Sequence, residues 1–159
     1  MSEQILDKTY RNDANVEIGK FTVVVEAHAN YANGCGVPAA ANAANPLGIA
    51  QNSIIPDATT DFAAGVYQIV SGTAWPAGAI PASGLGRAVR VRKAGISQCV
   101  AAGVIARGDR LNVADNQGRV KTINEVAGTV VYEVGQAEEA AGQAGDVIRV
   151  RLTLVVRHS

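Results

Sequence analysis

The clearest pattern along the chain is a two-residue alternation of apolar and polar side chains. In residues 87–93, Arg-Ala-Val-Arg-Val-Arg-Lys, Val89 and Val91 fall on one face and Arg90 and Arg92 on the other. Near the C-terminus Ile148, Val150, Leu152 and Leu154 share a face opposite Arg149 and Arg151, which predicts a strand over 147–156. Clusters of β-formers predict further strands at 21–25, 96–100, 110–114, 119–123 and between Gly128 and Gly135. Asp115-Asn116-Gln117-Gly118 separates two of these and predicts a hairpin, because Asn and Gly tolerate positive φ. The one helix candidate is the short segment 137–141. Strands this short, with turns every ~8–12 residues, predict an all-β barrel or sandwich.

The middle of the chain breaks the alternation. All five prolines (Pro38, Pro46, Pro56, Pro76, Pro81) lie within residues 30–86, where Asp57 and Asp61 are the only charged groups. Residues 30–46 are nearly all Ala, Asn and Gly, which rules out long regular elements. Two readings stay open for this stretch: an extended arm lying on another surface, or an ordered loop packed on its own domain. A short internal duplication is also visible. Leu47-Gly-Ile-Ala-Gln51 is echoed by Val134-Gly-Gln-Ala-Glu138, and Ala88-Val-Arg-Val-Arg92 by Val147-Ile-Arg-Val-Arg151. If the echo is a true duplication, residues 52–86 are an insertion into the first copy. The resulting division is an N-terminal strand and arm over 1–45, then a barrel-like domain over 46–159.

Composition narrows the chemistry. The 159 residues fit one domain, and 48% are hydrophobic but only 4% aromatic, so the core must be Val, Ile, Leu and Ala. Fourteen basic and fourteen acidic residues cancel, which argues against nucleic acid or an anionic membrane as a partner for the whole molecule. No apolar run approaches the ~18 residues that span a bilayer. The start, Met-Ser-Glu-Gln-Ile-Leu-Asp-Lys, lacks the basic and apolar regions of a signal peptide, so synthesis and folding in the cytoplasm are expected. Cys35 and Cys99 form no metal spacing. Two reduced thiols are expected, with a single disulfide as the alternative.

No catalytic constellation emerges. Of the two histidines, His158 is penultimate and His28 reads as a strand-end residue; a hydrolase built on His28 with Cys99 or a serine is a remote reading. Glu138 and Glu139 are adjacent and do not face one another. Neither a metal-ligand cluster nor a phosphate-cradling loop is present in the pattern, so no metal or cofactor is expected. Arg107-Gly108-Asp109 spells an adhesion tripeptide by coincidence. The outward pairs Arg90/Arg92 and Arg149/Arg151 fit a protein partner with acidic patches, or a solvated strand face, better than nucleic acid, since no aromatic residues interleave them.

The stretch Ala94–Val120, with Gly108-Asp109 before a strand and a polar turn ending Gly118-Arg119-Val120, is followed by Val134-Gly-Gln-Ala-Glu-Glu-Ala-Ala-Gly-Gln-Ala-Gly-Asp-Val-Ile-Arg-Val-Arg-Leu152. Together they resemble the head decoration, or capsid cement, proteins of tailed bacteriophages, and Pro46-Leu-Gly-Ile-Ala50 is similar to that family's first core strand. The resemblance covers residues 46–154. It implies a small β-barrel or β-tulip-like domain, here with an extended N-terminal arm and a long Pro/Gly-rich insertion. It also implies a homotrimer bound to the major capsid protein on the capsid exterior, stabilising the shell as a structural protein and not an enzyme. The partner-binding residues expected are Phe21, Tyr31, Tyr67, Trp75, Arg90 and Arg92. The competing reading is a monomeric ligand- or glycan-binding β module with Tyr67 and Trp75 as its platform.

Overall fold

The computed structural model describes residues 4–13, 17–54, 66–70, 73–76 and 86–158. Its strands are β1 Leu6–Asn12, β2 Val23–Glu26, β3 Gly34–Gly36, β4 Pro46–Ala50, β5 Val66–Val70, β6 Thr73–Pro76, β7 Ala88–Ala94, β8 Ile96–Val100, β9 Arg110–Val113, β10 Val120–Thr122, β11 Val130–Ala137 and β12 Val147–His158. The fold is all-β, as the alternation predicts. Strands β1-β3-β2-β4-β7 close into a barrel, β10-β9-β11-β12-β8 form a second sheet, and β5 pairs with β6.

The two five-stranded sheets are copies of one another. In the first, β1 and β7 pair through Asp7↔Arg92, Lys8↔Val91 and Thr9↔Arg90; in the second, β8 and β12 pair through Ile96↔Arg151, Ser97↔Val150 and Gln98↔Arg149. Val23↔Ile49 and Val24↔Gly48 on β2 and β4 correspond to Arg110↔Gln136 and Leu111↔Gly135 on β9 and β11. The parallel contact Asn12↔Cys35 that closes the barrel has its counterpart in Ala101↔Val120, which draws β8 onto β10. Even the bridges outside the strands recur: Ile18↔Ile54 matches Ile105↔Ala141. The chain is therefore a tandem of two β units joined at Gly95. In the first unit, residues 55–85 stand between Ile54 and Gly86, where the second has only 142–144 between Ala141 and Gly145. Gly86 and Gly145 donate equivalent bonds to the carbonyls of Asn12 and Ala101, at 2.7 and 2.8 Å.

One demand explains why a glycine survives in each echo. A Cβ on Gly48 would lie 2.0 Å from the Arg92 carbonyl oxygen, and one on Gly135 would lie 2.3 Å from that of Arg151. Only glycine lets the two strands cross this closely. The inward residues between them, Val89 and Val91 in one unit and Ile148 and Val150 in the other, are buried.

Two expectations are corrected. Residues 137–141 are not helical, because their amides bond to distant carbonyls: Ala137 to Asp109, Glu138 to Arg149 and Ala141 to Ile105, at 2.8–2.9 Å. Tertiary pairing has overridden a weak local propensity. The strand expected over 21–25 begins only at Val23, since Phe21 sits in a turn at φ 63°.

The units pack through the start of β2. Val100 donates to the Phe21 carbonyl at 3.0 Å and Val23 to the Gly118 carbonyl at 2.8 Å, so Phe21–Val23 lies between β8 and β10 at that level. Val23 and Ile49 join the core of the second unit with Val113, Val134 and Val150. The first unit keeps its own core of Tyr10, Ile18, Val24, Leu47, Val89 and Val91. Within the uncharged stretch the described residues around Asn42 pack on the second unit, while residues 55–65, 71–72 and 77–85 lie outside the described residues. Asn42 donates through its backbone to the Val113 carbonyl and through Nδ2 to the Val130 carbonyl, both at 2.8 Å, and its Oδ1 accepts from the Tyr132 amide at 3.0 Å.

Candidate partner-binding face

Strands β1 and β7 alternate in step, which places Asp7, Thr9 and Arg11 beside Ala88, Arg90 and Arg92 on the outside of the first barrel, while Tyr10, Asn12, Val89 and Val91 point inward. Asp7 is the pivot of this face. Its carboxylate accepts two hydrogen bonds from Arg92, at 2.8 and 3.1 Å, and lies 3.6 Å from Arg90 Nε. A forked guanidinium–carboxylate pair fixes geometry as well as charge. The bonds from Arg92 hold the Asp7 carboxyl below the usual carboxylate range, against the opposing effect of burial. Arg92 also donates to the Ile96 carbonyl at 3.1 Å and is 20% exposed, whereas Arg90 is 61% exposed. Arg92 is thus tied down, and Arg90 is the arginine that can meet a partner.

Tyr31 joins the same face. The Arg11 guanidinium lies 5.4 Å from its ring centre, within cation–π reach. The loop that carries Tyr31 is held by Asp13, whose carboxylate accepts from the Asn30 amide at 2.9 and 3.0 Å, from Asn30 Nδ2 at 2.7 Å and from the Tyr31 amide at 3.2 Å. Burial alone would push the Asp13 carboxyl up; the bonds from Asn30, Tyr31 and Ala29 outweigh it and leave the group below its ordinary value. The tyrosine hydroxyl sits at Gly86, where a Cβ would be 2.5 Å away. Across the face, Asn52 Oδ1 accepts from the Arg90 amide at 2.7 Å and Asn52 Nδ2 donates to the Ala88 carbonyl at 3.1 Å. Both stems of the insertion therefore reach the barrel beside the arginines.

Of the six residues expected to bind a partner, Tyr31, Arg90 and Arg92 are brought together here. Phe21 is not: it lies at the junction of the units, with Lys20 Nζ 4.7 Å from its ring centre. Tyr67 and Trp75 fall on the paired strands β5 and β6, and their side chains lie outside the described residues. The pattern reading missed Arg11, Asp7 and Asn52, although Asp7, Thr9 and Arg11 alternate in the sequence and signal one strand face.

The second unit serves as an internal comparison. At the positions of Arg90 and Arg92 it carries Arg149 and Arg151, each paired with its own carboxylate: Glu139 at 2.8 Å and Glu138 at 2.7 Å. The backbone bond from Arg149, with its side-chain bond, holds the Glu139 carboxyl below its usual range. Arg11 is replaced by Val100. The first face thus sets three arginines against one aspartate, and the second sets two against two. Among the described residues, the cationic excess belongs to the β1/β7 face and not to its counterpart in the second unit.

His28 is exposed, with Nδ1 3.4 Å from the Tyr31 carbonyl and Nε2 3.8 Å from Glu26. Cys35 and Cys99 are free and buried, and burial pushes both thiols up to about 12. Among the described residues, no group of three or more His, Cys, Asp or Glu side chains is placed to hold a metal ion, and no helix is long and apolar enough to cross a membrane.

The chain matches no protein-family model and no curated protein. Among solved structures it is similar to the N base of head fiber gp8.5 in bacteriophage phi29, with a TM-score of 0.50 at 17% identity, over 98% of this chain and 100% of that one. The two share a fold. The match spans nearly the whole of both chains.

Proposed function

We propose that this chain is a virion structural protein that binds the outer surface of a phage capsid and stabilises it by bridging major capsid protein subunits. The observation that carries the reading is the end-to-end likeness in fold to a phage head fiber base. The resemblance of residues 94–152 to capsid decoration proteins supports it independently. The β1/β7 face suits such a role, because Arg11, Arg90 and Tyr31 present charge and an aromatic ring on a rigid barrel, where little ordering entropy is lost on binding. An acidic patch on the coat protein is the surface this face complements. The homotrimeric state is carried over from the resemblance, and three copies of a modest contact give firm attachment by multivalency.

The test is co-sedimentation with expanded shells of the cognate phage that lack the protein. Saturable binding at a fixed ratio to coat protein is the expected result. Arg11→Glu with Arg90→Glu should weaken it by about tenfold or more, while Arg149→Glu leaves it unchanged. Folded protein that never sediments with such shells would remove the proposal.

A further inference from the structure

Asn33-Gly34 is the one Asn-Gly pair in the sequence, and it lies where the first barrel closes. Asn33 stands in the turn after Tyr31 and is exposed. Its main-chain carbonyl accepts from the Arg11 amide at 3.0 Å, and the residues that follow bring β3 against β1 through Arg11↔Gly34 and Asn12↔Cys35. Gly34 admits no side chain. A Cβ there would lie 2.0 Å from the Ala27 carbonyl oxygen and 2.6 Å from Asp13 Oδ2. Packing therefore fixes a glycine immediately after an exposed asparagine.

That juxtaposition carries a chemistry. A main-chain nitrogen attacks the carboxamide of the asparagine before it and closes a succinimide ring, and a side chain on the attacking residue slows the closure by crowding. Glycine removes that obstacle. The Gly34 amide is restrained by a bond to the Tyr31 carbonyl at 3.1 Å, within a turn that is exposed over Ala32 and Asn33. The second unit is built differently. Its equivalent pair is Gly118-Arg119, and its exposed turn asparagine, Asn116, is followed by Gln117, whose amide donates to Asp115 Oδ1 at 3.0 Å. Asn45 precedes Pro46, which has no N–H to lose.

We infer that Asn33 is a site of spontaneous modification, whose conversion to isoaspartate opens the seam of the first barrel and uncovers Cys35. The Gly34 nitrogen bonds to Asn33 Cγ as the Cγ–Nδ2 bond breaks. The Gly34 proton passes to hydroxide, and the leaving nitrogen takes a proton from water and departs as ammonia. Water then opens the succinimide. Breaking the bond from the Gly34 nitrogen to Cγ gives aspartate, and breaking its bond to the main-chain carbonyl carbon gives isoaspartate. One water enters, one ammonia leaves, and nothing is oxidised or reduced. In the isoaspartyl form the chain to Gly34 runs through Cβ and is one bond longer. The carbonyl that held the Arg11 amide becomes a free carboxylate. The β1/β3 pairing consists of Arg11↔Gly34 and Asn12↔Cys35, so a shift at Gly34 disturbs all of it. Cys35, buried in that pairing, is the group exposed by the change.

The inference stands apart from the capsid reading and is tested on the full chain without shells. The protein is held at pH 8 for several weeks, sampled, and mapped by peptide mass spectrometry with fragmentation that separates aspartate from isoaspartate. Isoaspartate is expected at Asn33 ahead of every other asparagine. It should be absent in Asn33→Gln, whose longer side chain closes its ring far more slowly. In the modified fraction Cys35 should react with a thiol reagent about tenfold faster than in fresh protein, since a lost closing bond shifts local opening by that factor. Cys99 should stay protected, and Cys35 of aged Asn33→Gln should label as in fresh protein. Far-UV circular dichroism establishes that the aged chains are folded. No isoaspartate at Asn33 in the folded parent, while the urea-unfolded chain forms it, would overturn the inference. So would modified protein in which Cys35 remains as protected as before.

Discussion

Gly135 does in the second unit what Gly48 does in the first: each lies against the carbonyl oxygen of an arginine, Arg151 and Arg92, closer than any side chain allows. Gly48→Ala and Gly135→Ala must each push two paired strands apart in a packed interior. The expected cost is about 2–3 kcal/mol in each variant. Urea unfolding followed by circular dichroism measures it, with Gly103→Ala as the comparison, since a Cβ there meets nothing within 4 Å.

The repeat also defines a surgical experiment on the insertion. Replacing residues 55–85 by Gly-Gln-Ala, the residues 142–144 of the second unit, joins Ile54 to Gly86 as Ala141 is joined to Gly145. Both units should remain folded, with a stability change within about 1 kcal/mol, because loop length itself contributes only weakly. Thermal melting and a dispersed NMR spectrum decide the outcome.

Acid should loosen the β1/β7 face. The folded pKa of Asp7 is depressed by Arg92, so its contribution is complete above the unfolded value of about 3.9 and disappears as pH falls through the folded value. Asp7→Asn should cost about 1 kcal/mol near pH 7 and flatten the acid limb of the stability profile. Urea midpoints collected from pH 7 down to pH 2 report both effects.

The cysteines offer a probe of opening. With both thiols buried and pushed up to about 12, neither Cys35 nor Cys99 should react with a thiol reagent at pH 8 in the folded protein. Two equivalents should react once urea unfolds the chain. Fast labelling of either thiol under native conditions would show that its unit opens locally.

Much of this architecture is legible in the residue pattern, and the reasons differ by element. The strands at 96–100 and 147–156 announce themselves because one of their faces is buried, which enforces alternation. The repeat is legible because its echoes, Leu47–Gln51 with Val134–Glu138 and Ala88–Arg92 with Val147–Arg151, contain the glycine that close strand crossing requires and the valines that fill the core. Strand β3 is not legible in this way. Gly34-Cys35-Gly36 has no β-forming pattern and becomes a strand only through its pairing with β1 and β2. Phe21 reads as part of a strand because its side chain is a β-former, yet its backbone turns to offer a carbonyl to Val100. The candidate face on β1 and β7 is half legible: Arg90 and Arg92 stand out by alternation, but Arg11 gains its meaning from Tyr31, a loop residue positioned by a distant carboxylate.

The segment Phe21–Val23 has a consequence for how the molecule comes apart. In the first unit the Arg11 amide reaches the Asn33 carbonyl directly, at 3.0 Å; in the second the matching groups, on Val100 and Gly118, are satisfied by the first unit's backbone. One ring is self-sufficient and the other borrows a stave. Cut away from its neighbour, residues 96–158 would be left with an open seam and with the Val100 amide and Gly118 carbonyl among its orphaned backbone groups. Dependence is mutual, through the Asn42 bonds to Val113, Val130 and Tyr132 and through the burial of Val23 and Ile49, and the pair should melt as one cooperative body.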